Sequence, residues 1–186
     1  MMRIARAAVG CALLLLSGCA LPRPSMEDYL RVMPRVIAFA EADGRANAPG
    51  QPARGPLFLD TPSFASAAWM VTQTKPDSVE LGKQVRGAIG RPYEEAVPQV
   101  TMTCDRNPDG IGPSAGGCWV DRYGVFVHLN FTKATRDRME FYVAVTVTSH
   151  RTWPTEICQR TWRLTYERAG GAWPQTDKEL IKSTCG

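Results

Sequence analysis

The chain has 186 residues, 44% of them hydrophobic and 22% charged, which is globular composition and not that of a disordered or membrane-spanning chain. Its formal charge of +4 falls to about +2 once Arg3 and Arg6 of an apolar leader are set aside, leaving 20 basic against 18 acidic residues. That balance removes the electrostatic basis for binding nucleic acid. Two histidines and six cysteines leave little material for a metal cluster.

In chain order, a basic start is followed by an apolar stretch from Ala7 to Leu16. The stretch is far below the roughly 20 residues a bilayer-crossing helix needs, and behind positive charge it is the pattern of a secretory signal. It ends in Leu16-Ser17-Gly18-Cys19, which resembles the lipobox of bacterial lipoproteins. That resemblance implies a signal peptide over 1–18, lipid on the Cys19 sulfur, acylation of the new amino terminus, and a lipidated tether over 19–24. It further implies a place in the bacterial envelope, facing the periplasm. Ala20, where an aspartate would favour the inner membrane, tilts the reading to the outer membrane.

One exported domain is expected over 25–186. Ser25 can cap a helix whose stripe is Tyr29, Val32, Met33, Val36, Ile37 and Ala40, with Pro34 expected to kink or split it. Asp43 to Pro56 reads as a Gly/Pro/Ala loop, and Leu57-Phe58-Leu59 as a short apolar strand. Thr61 reads as the cap of a second helix, with Pro62 at its first position and Phe64, Ala67, Ala68 and Val71 inward. A third runs from Asp77 or Ser78 to Gly90, with Leu81, Val85, Ala88 and Ile89 on one face. From about Val100 the period becomes two. Val125, Val127, Leu129 and Phe131 alternate with Phe126, His128 and Asn130, and Phe141, Val143, Val145 and Val147 alternate with Tyr142, Ala144, Thr146 and Thr148. Cys158, Trp162, Leu164 and Tyr166 share a face of a third strand with Arg160 the exception, and Gly170-Gly171 turns the chain into a last one. The predicted class is α+β, with N-terminal helices packed on a C-terminal antiparallel meander.

With Cys11 in the leader and Cys19 acylated, Cys104, Cys118, Cys158 and Cys185 remain, an even number that reads as two disulfides in an exported domain. A turn between Gly171 and Ala172 sets Cys158 opposite Cys185, which leaves Cys104 and Cys118 to close the segment between them. The chain has no Cys-x-x-Cys spacing to support a four-cysteine zinc site.

Chemical signatures are sparse. Asp105-Arg106-Asn107-Pro108-Asp109-Gly110 matches the first half of a calcium loop, in which alternating oxygens converge on a hard cation. The twelfth position is Gly116 instead of a bidentate glutamate, so the segment reads first as an Asx- and glycine-rich turn. Calcium at Asp105, Asn107 and Asp109 is the rival reading. No Gly-x-Ser-x-Gly elbow and no His-Glu-x-x-His helix occur, and no enzyme is expected. Catalysis would need His128 or His150 beside a carboxylate and an open cleft, or a meeting of Glu94, Glu95, Asp121 and Glu140. Phe126, His128, Tyr142 and Thr146 line the second sheet face and form a candidate interaction face.

Two classes of function follow. The first is a non-catalytic lipoprotein that binds a protein partner, as an accessory subunit of an envelope or membrane complex. The second is a small-ligand carrier or sensor. The predicted architecture is similar to the nuclear-transport-factor-2-like superfamily, which implies a pocket enclosed by the sheet and its helices. A filled core there would discriminate against it.

Overall fold

The computed structural model describes residues 23–47, 55–95, 103–106, 113–119, 124–148 and 158–184. The leader, Cys19 and Ala20 to Pro22 lie outside the described residues.

Helix α1 spans Met26–Ala46. Ser25 and Asp28 form a reciprocal cap, the Ser25 hydroxyl accepting from the Asp28 amide at 3.1 Å and Asp28 Oδ2 from the Ser25 amide at 3.0 Å. Every residue of the expected stripe is fully buried. Of the two outcomes expected of Pro34, the split does not occur, and α1 runs unbroken through it. Met33, Val36 and Ile37 on both sides of the proline are clamped in one core, and that packing offsets the roughly 3 kcal/mol an interior proline costs.

Strand β1 (Leu57–Leu59) leads into α2 (Thr61–Thr72), α3 (Ser78–Ile89) and the short β2 (Glu94–Glu95). The α2 cap is Asp60, one residue earlier than Thr61, and accepts from the Ser63 amide. Asp77 caps α3 through the Val79 and Glu80 amides, and Gly90 closes it in the left-handed region. Ala88, expected inward on α3, is exposed. Strands β3 (Thr103–Arg106) and β4 (Pro113–Trp119) pair with each other as a separate ribbon.

The main sheet contains β5 (Gly124–Thr135), β6 (Arg138–Thr148), β7 (Cys158–Glu167) and β8 (Gln175–Ser183) in the order β2-β1-β5-β6-β7-β8. The meander β5 to β8 is antiparallel, as expected for the α+β class. β1 joins its edge in parallel, Leu57 opposite Val125 and Leu59 opposite Val127, which the sequence pattern alone does not assign. All three β1 residues are buried, the mark of a strand covered on both faces.

Helices α1, α2 and α3 share one core with the sheet, built on Val125, Val127, Leu129, Met139, Phe141, Val143, Val145, Leu164 and Tyr166. The approach is close at Gly44, where a Cβ would stand 2.6 Å from Val125 Cγ1. Polar clasps hold α1 at both ends. Near its start, Trp173 Nε1 donates to Asp28 Oδ1 at 2.8 Å and Arg168 reaches Asp28 Oδ2 at 3.4 Å. Near its end, Trp162 Nε1 donates to Asp43 Oδ2 at 2.9 Å and Arg160 donates to Asn47 Oδ1 at 2.6 Å. Arg160, the polar member of an apolar face, is thereby accounted for. Buried Glu41 receives Arg45 at 2.6 Å and is also paired with Arg91.

Two strand details differ from the expected pattern. A bulge between Leu129 and Phe131 reverses the alternation of β5, so Phe131 leaves the core face and Thr132 takes its place, 3% exposed against Phe141. The last hairpin turns at Gly170-Gly171, both with positive φ, so that Ala169 bridges Ala172. Two further bulges advance the β7–β8 register until Arg160 faces Ser183.

Candidate functional site

The second face of the meander is assembled by register. Phe126 stands opposite Thr146, His128 opposite Ala144 and Phe131 opposite Tyr142. On the next strand, Gln159, Thr161 and Arg163 continue these three rows, and Lys182 and Glu179 extend two of them onto β8. The four candidate residues Phe126, His128, Tyr142 and Thr146 thus lie together on two adjacent strands, each partly exposed. The bulge adds Phe131, 45% exposed, which the uninterrupted alternation assigned to the core.

The rows differ in size. Ala144 and Thr161 form a low middle row, flanked on one side by Phe126 and Thr146 and on the other by Phe131, Tyr142 and Arg163. Phe131 and Tyr142 meet edge to face, their centroids 5.8 Å apart, and Lys133 Nζ lies 5.8 Å from the Phe131 ring centre. Arg163, opposite Tyr142, is held by Glu179 at 2.5 Å and Asp177 at 3.4 Å. At the β1 end of this face, Phe58 pairs with Phe126 and is fully buried, so the exposed part begins at Phe126.

His128 is oriented. Its Nδ1 donates to Asp60 Oδ2 at 2.5 Å, and the imidazole is 35% exposed. Asp60 is fixed in turn. Its amide donates to the Val127 carbonyl at 3.1 Å, and its side chain caps α2. Ser63 Oγ donates to the Asp60 carbonyl at 2.8 Å and accepts from the Leu129 amide at 3.1 Å. The junction of β1 and α2 is bolted to the middle of β5, and the bolt sets the His128 ring. An imidazole with Nδ1 committed to a carboxylate presents Nε2 as its remaining hydrogen-bonding atom. Asp60 was not among the sequence candidates. Its one local signal is its place two residues before Pro62, next to Thr61, to which the sequence pattern assigns the cap.

Half of the condition set for catalysis, a carboxylate within reach of His128, is therefore met. The hydroxyl in this network, Ser63 Oγ, is 8% exposed at the residue level and already bonded on both sides. The described carboxylates considered for paired chemistry lie on two strands, Glu94 and Glu95 on β2 at the sheet edge and Glu140 on β6. Glu95 pairs with Arg86 at the sheet edge, and Glu140 pairs with Arg138 on β6. His150 and Asp121 lie outside the described residues, as do Asn107 and Asp109, and Asp105 is described by its backbone in β3. Among the described residues no group of three or more His, Cys, Asp or Glu side chains is placed to hold a metal.

The cysteine register is informative. Cys104 and Cys118 are direct cross-strand partners in the β3–β4 ribbon. Cys158 is buried opposite Val147. On β7 and β8 Arg160 faces Ser183, and Cys185, the expected partner of Cys158, lies outside the described residues.

The space between helices and sheet is occupied by Tyr29, Phe64, Phe141 and Tyr166, each at most 1% exposed. Burial pushes the Tyr166 hydroxyl up to about 12 and raises that of Tyr29 further, so both stay neutral. Among the described residues no helix is long and apolar enough to cross a membrane. No family model, no curated protein and no solved structure matches the chain.

Proposed function

We propose that this chain is a bacterial lipoprotein, anchored through acylated Cys19 and facing the periplasm, whose non-catalytic domain binds a protein partner. The outer membrane is the favoured site. The observation that carries the binding role is the pair of partly exposed rings Phe131 and Tyr142, with Phe126 two rows away on the same face, beside an imidazole whose orientation Asp60 sets. Aromatic rings of this kind supply contact area at low conformational cost, and a fixed ring nitrogen supplies a directional hydrogen bond. Disulfides 104–118 and 158–185 belong to the same reading and are supported by the cross-strand registers. An enclosed-pocket carrier has less support, because large side chains fill the space in which its ligand would sit.

The test is crosslinking in intact cells, followed by extraction in mild detergent with the lipid retained and identification of what co-purifies. A stoichiometric partner that is lost from Tyr142→Ala and Phe131→Ala is the expected result. Recovery of the chain alone, at monomer size, overturns the reading.

One observation, the Asp60–His128 contact, favours a second reading as an enzyme with His128 as general base. It would be preferred if His128→Asn left partner capture intact and a partner were turned over only by the unmodified chain.

A further inference from the structure

We infer that the C-terminal end of α2, centred on Trp69, rests on the lipid bilayer. The inference depends on the reading of Cys19 as the lipid-bearing residue and adds to it which part of the domain meets the membrane.

The first argument is tether length. The described chain begins against α2, where Arg23 Nη1 donates to the Met70 carbonyl at 3.2 Å. Cys19 precedes Arg23 by four residues. Four residues reach about 14 Å at full extension, so an acylated Cys19 lies within that distance of the Arg23 backbone. Acyl chains place the cysteine at headgroup level, and the headgroup zone is itself several ångströms deep. The part of the domain around Arg23 is therefore confined to the membrane surface.

The second argument is what that part displays. Trp69 is 53% exposed, among the largest apolar side chains on the described surface. It points away from the core residues Phe64, Ala67, Ala68 and Val71 of the same helix. The exposed positions of α2 are Pro62, Ser66 and Trp69, and the helix carries no charged residue. A helix face turned to water ordinarily carries charge, as α1 does with Glu27 and Arg31 and α3 with Lys83 and Arg86. An uncharged face with one tryptophan suits the boundary between headgroups and acyl chains, where the indole ring is apolar and its N–H still finds partners. Val79, 68% exposed in the first turn of α3, adds an apolar contact after the same corner. Arg23 and Lys75, both exposed, offer cations to lipid phosphates.

The test reconstitutes the full lipidated chain into vesicles of phosphatidylethanolamine and phosphatidylglycerol with brominated acyl chains, and reads tryptophan emission. Quenching of the unmodified chain and its loss in Trp69→Phe, at unchanged circular dichroism, are expected. Moving the ring within the corner, with Gln73→Trp in the Trp69→Phe background, should restore quenching. The mass of the N-terminal peptide is measured on the same sample. An acylated Cys19 with quenching absent, or unchanged in Trp69→Phe, overturns the docking and leaves the anchor standing. A Cys19 without acyl mass overturns both.

Discussion

The two faces of the β5–β8 meander are made from alternating residues of the same strands, and both carry aromatic rings. Phe141 and Tyr166 on the covered face are at most 1% exposed, whereas Phe131 on the second face is 45% exposed. The difference lies in what packs above them. Clasped by Trp173, Trp162 and Arg160, α1 lies along one face and completes a core there. The second face is organised by pairings within its own layer, such as Arg163 with Glu179 and Arg138 with Glu140. Ring content is therefore a poor guide to core membership in this sheet. The elements packed above each face decide it.

The largest effect that could break this contrast is a truncation on the covered face. Phe141→Ala is expected to lower stability by about 3–5 kcal/mol, read from the urea midpoint. A loss within about 0.5 kcal/mol would place Phe141 outside the core.

A smaller effect tests the clasp. Trp173→Phe removes the N–H that serves Asp28 and is expected to cost about 1.5–3 kcal/mol, the range for a hydrogen bond to a charged group. Burial raises the Asp28 carboxyl, but hydrogen bonds from Trp173 and Ser25 and the charge of Arg168 outweigh it and hold the group below its ordinary 3.8. A depressed carboxyl contributes in full above its unfolded value, and the contribution is lost as the pH falls through the folded one. Acid unfolding below pH 3.8 should therefore flatten in Asp28→Asn and, partly, in Trp173→Phe, as followed by circular dichroism against pH.

The smallest effect sharpens the comparison from the other side. Phe131→Ala is expected to change stability by no more than about 0.5 kcal/mol in the same urea measurement, because its ring covers little of the core.

Much of the fold is legible in local pattern. The 3.6-residue stripe of α1, the Ser25 and Asp77 caps and the Gly170-Gly171 turn each follow from chemistry within a few residues. What escapes depends on partners far along the chain. The bulge at Asn130 carries no compositional mark, yet it moves Phe131 across the sheet and seats Thr132 in the core. The parallel pairing of β1 with β5 joins segments more than sixty residues apart, and the three-residue run of β1 shows burial without naming its neighbour. Asp60 meets His128 through that same pairing, so the one residue that orients the imidazole could not be chosen from its sequence surroundings. Pro34 is the opposite case, where a strong local rule yields to packing on either side. The register of Arg160 with Ser183 is reached by a route the sequence does not show, a turn one residue earlier and two compensating bulges.

The clasp at the start of α1 has a mechanical consequence. The N-terminal chain enters α1 at Ser25, one turn before Asp28, and Asp28 is tied to Trp173 and Arg168 beside the final hairpin. A pull on that chain is thus handed at once to the C-terminal strands. Side-chain bonds at Asp28 and the buried α1 stripe resist it together. Sequence-distant ends of the domain become one mechanical unit at the point where force enters.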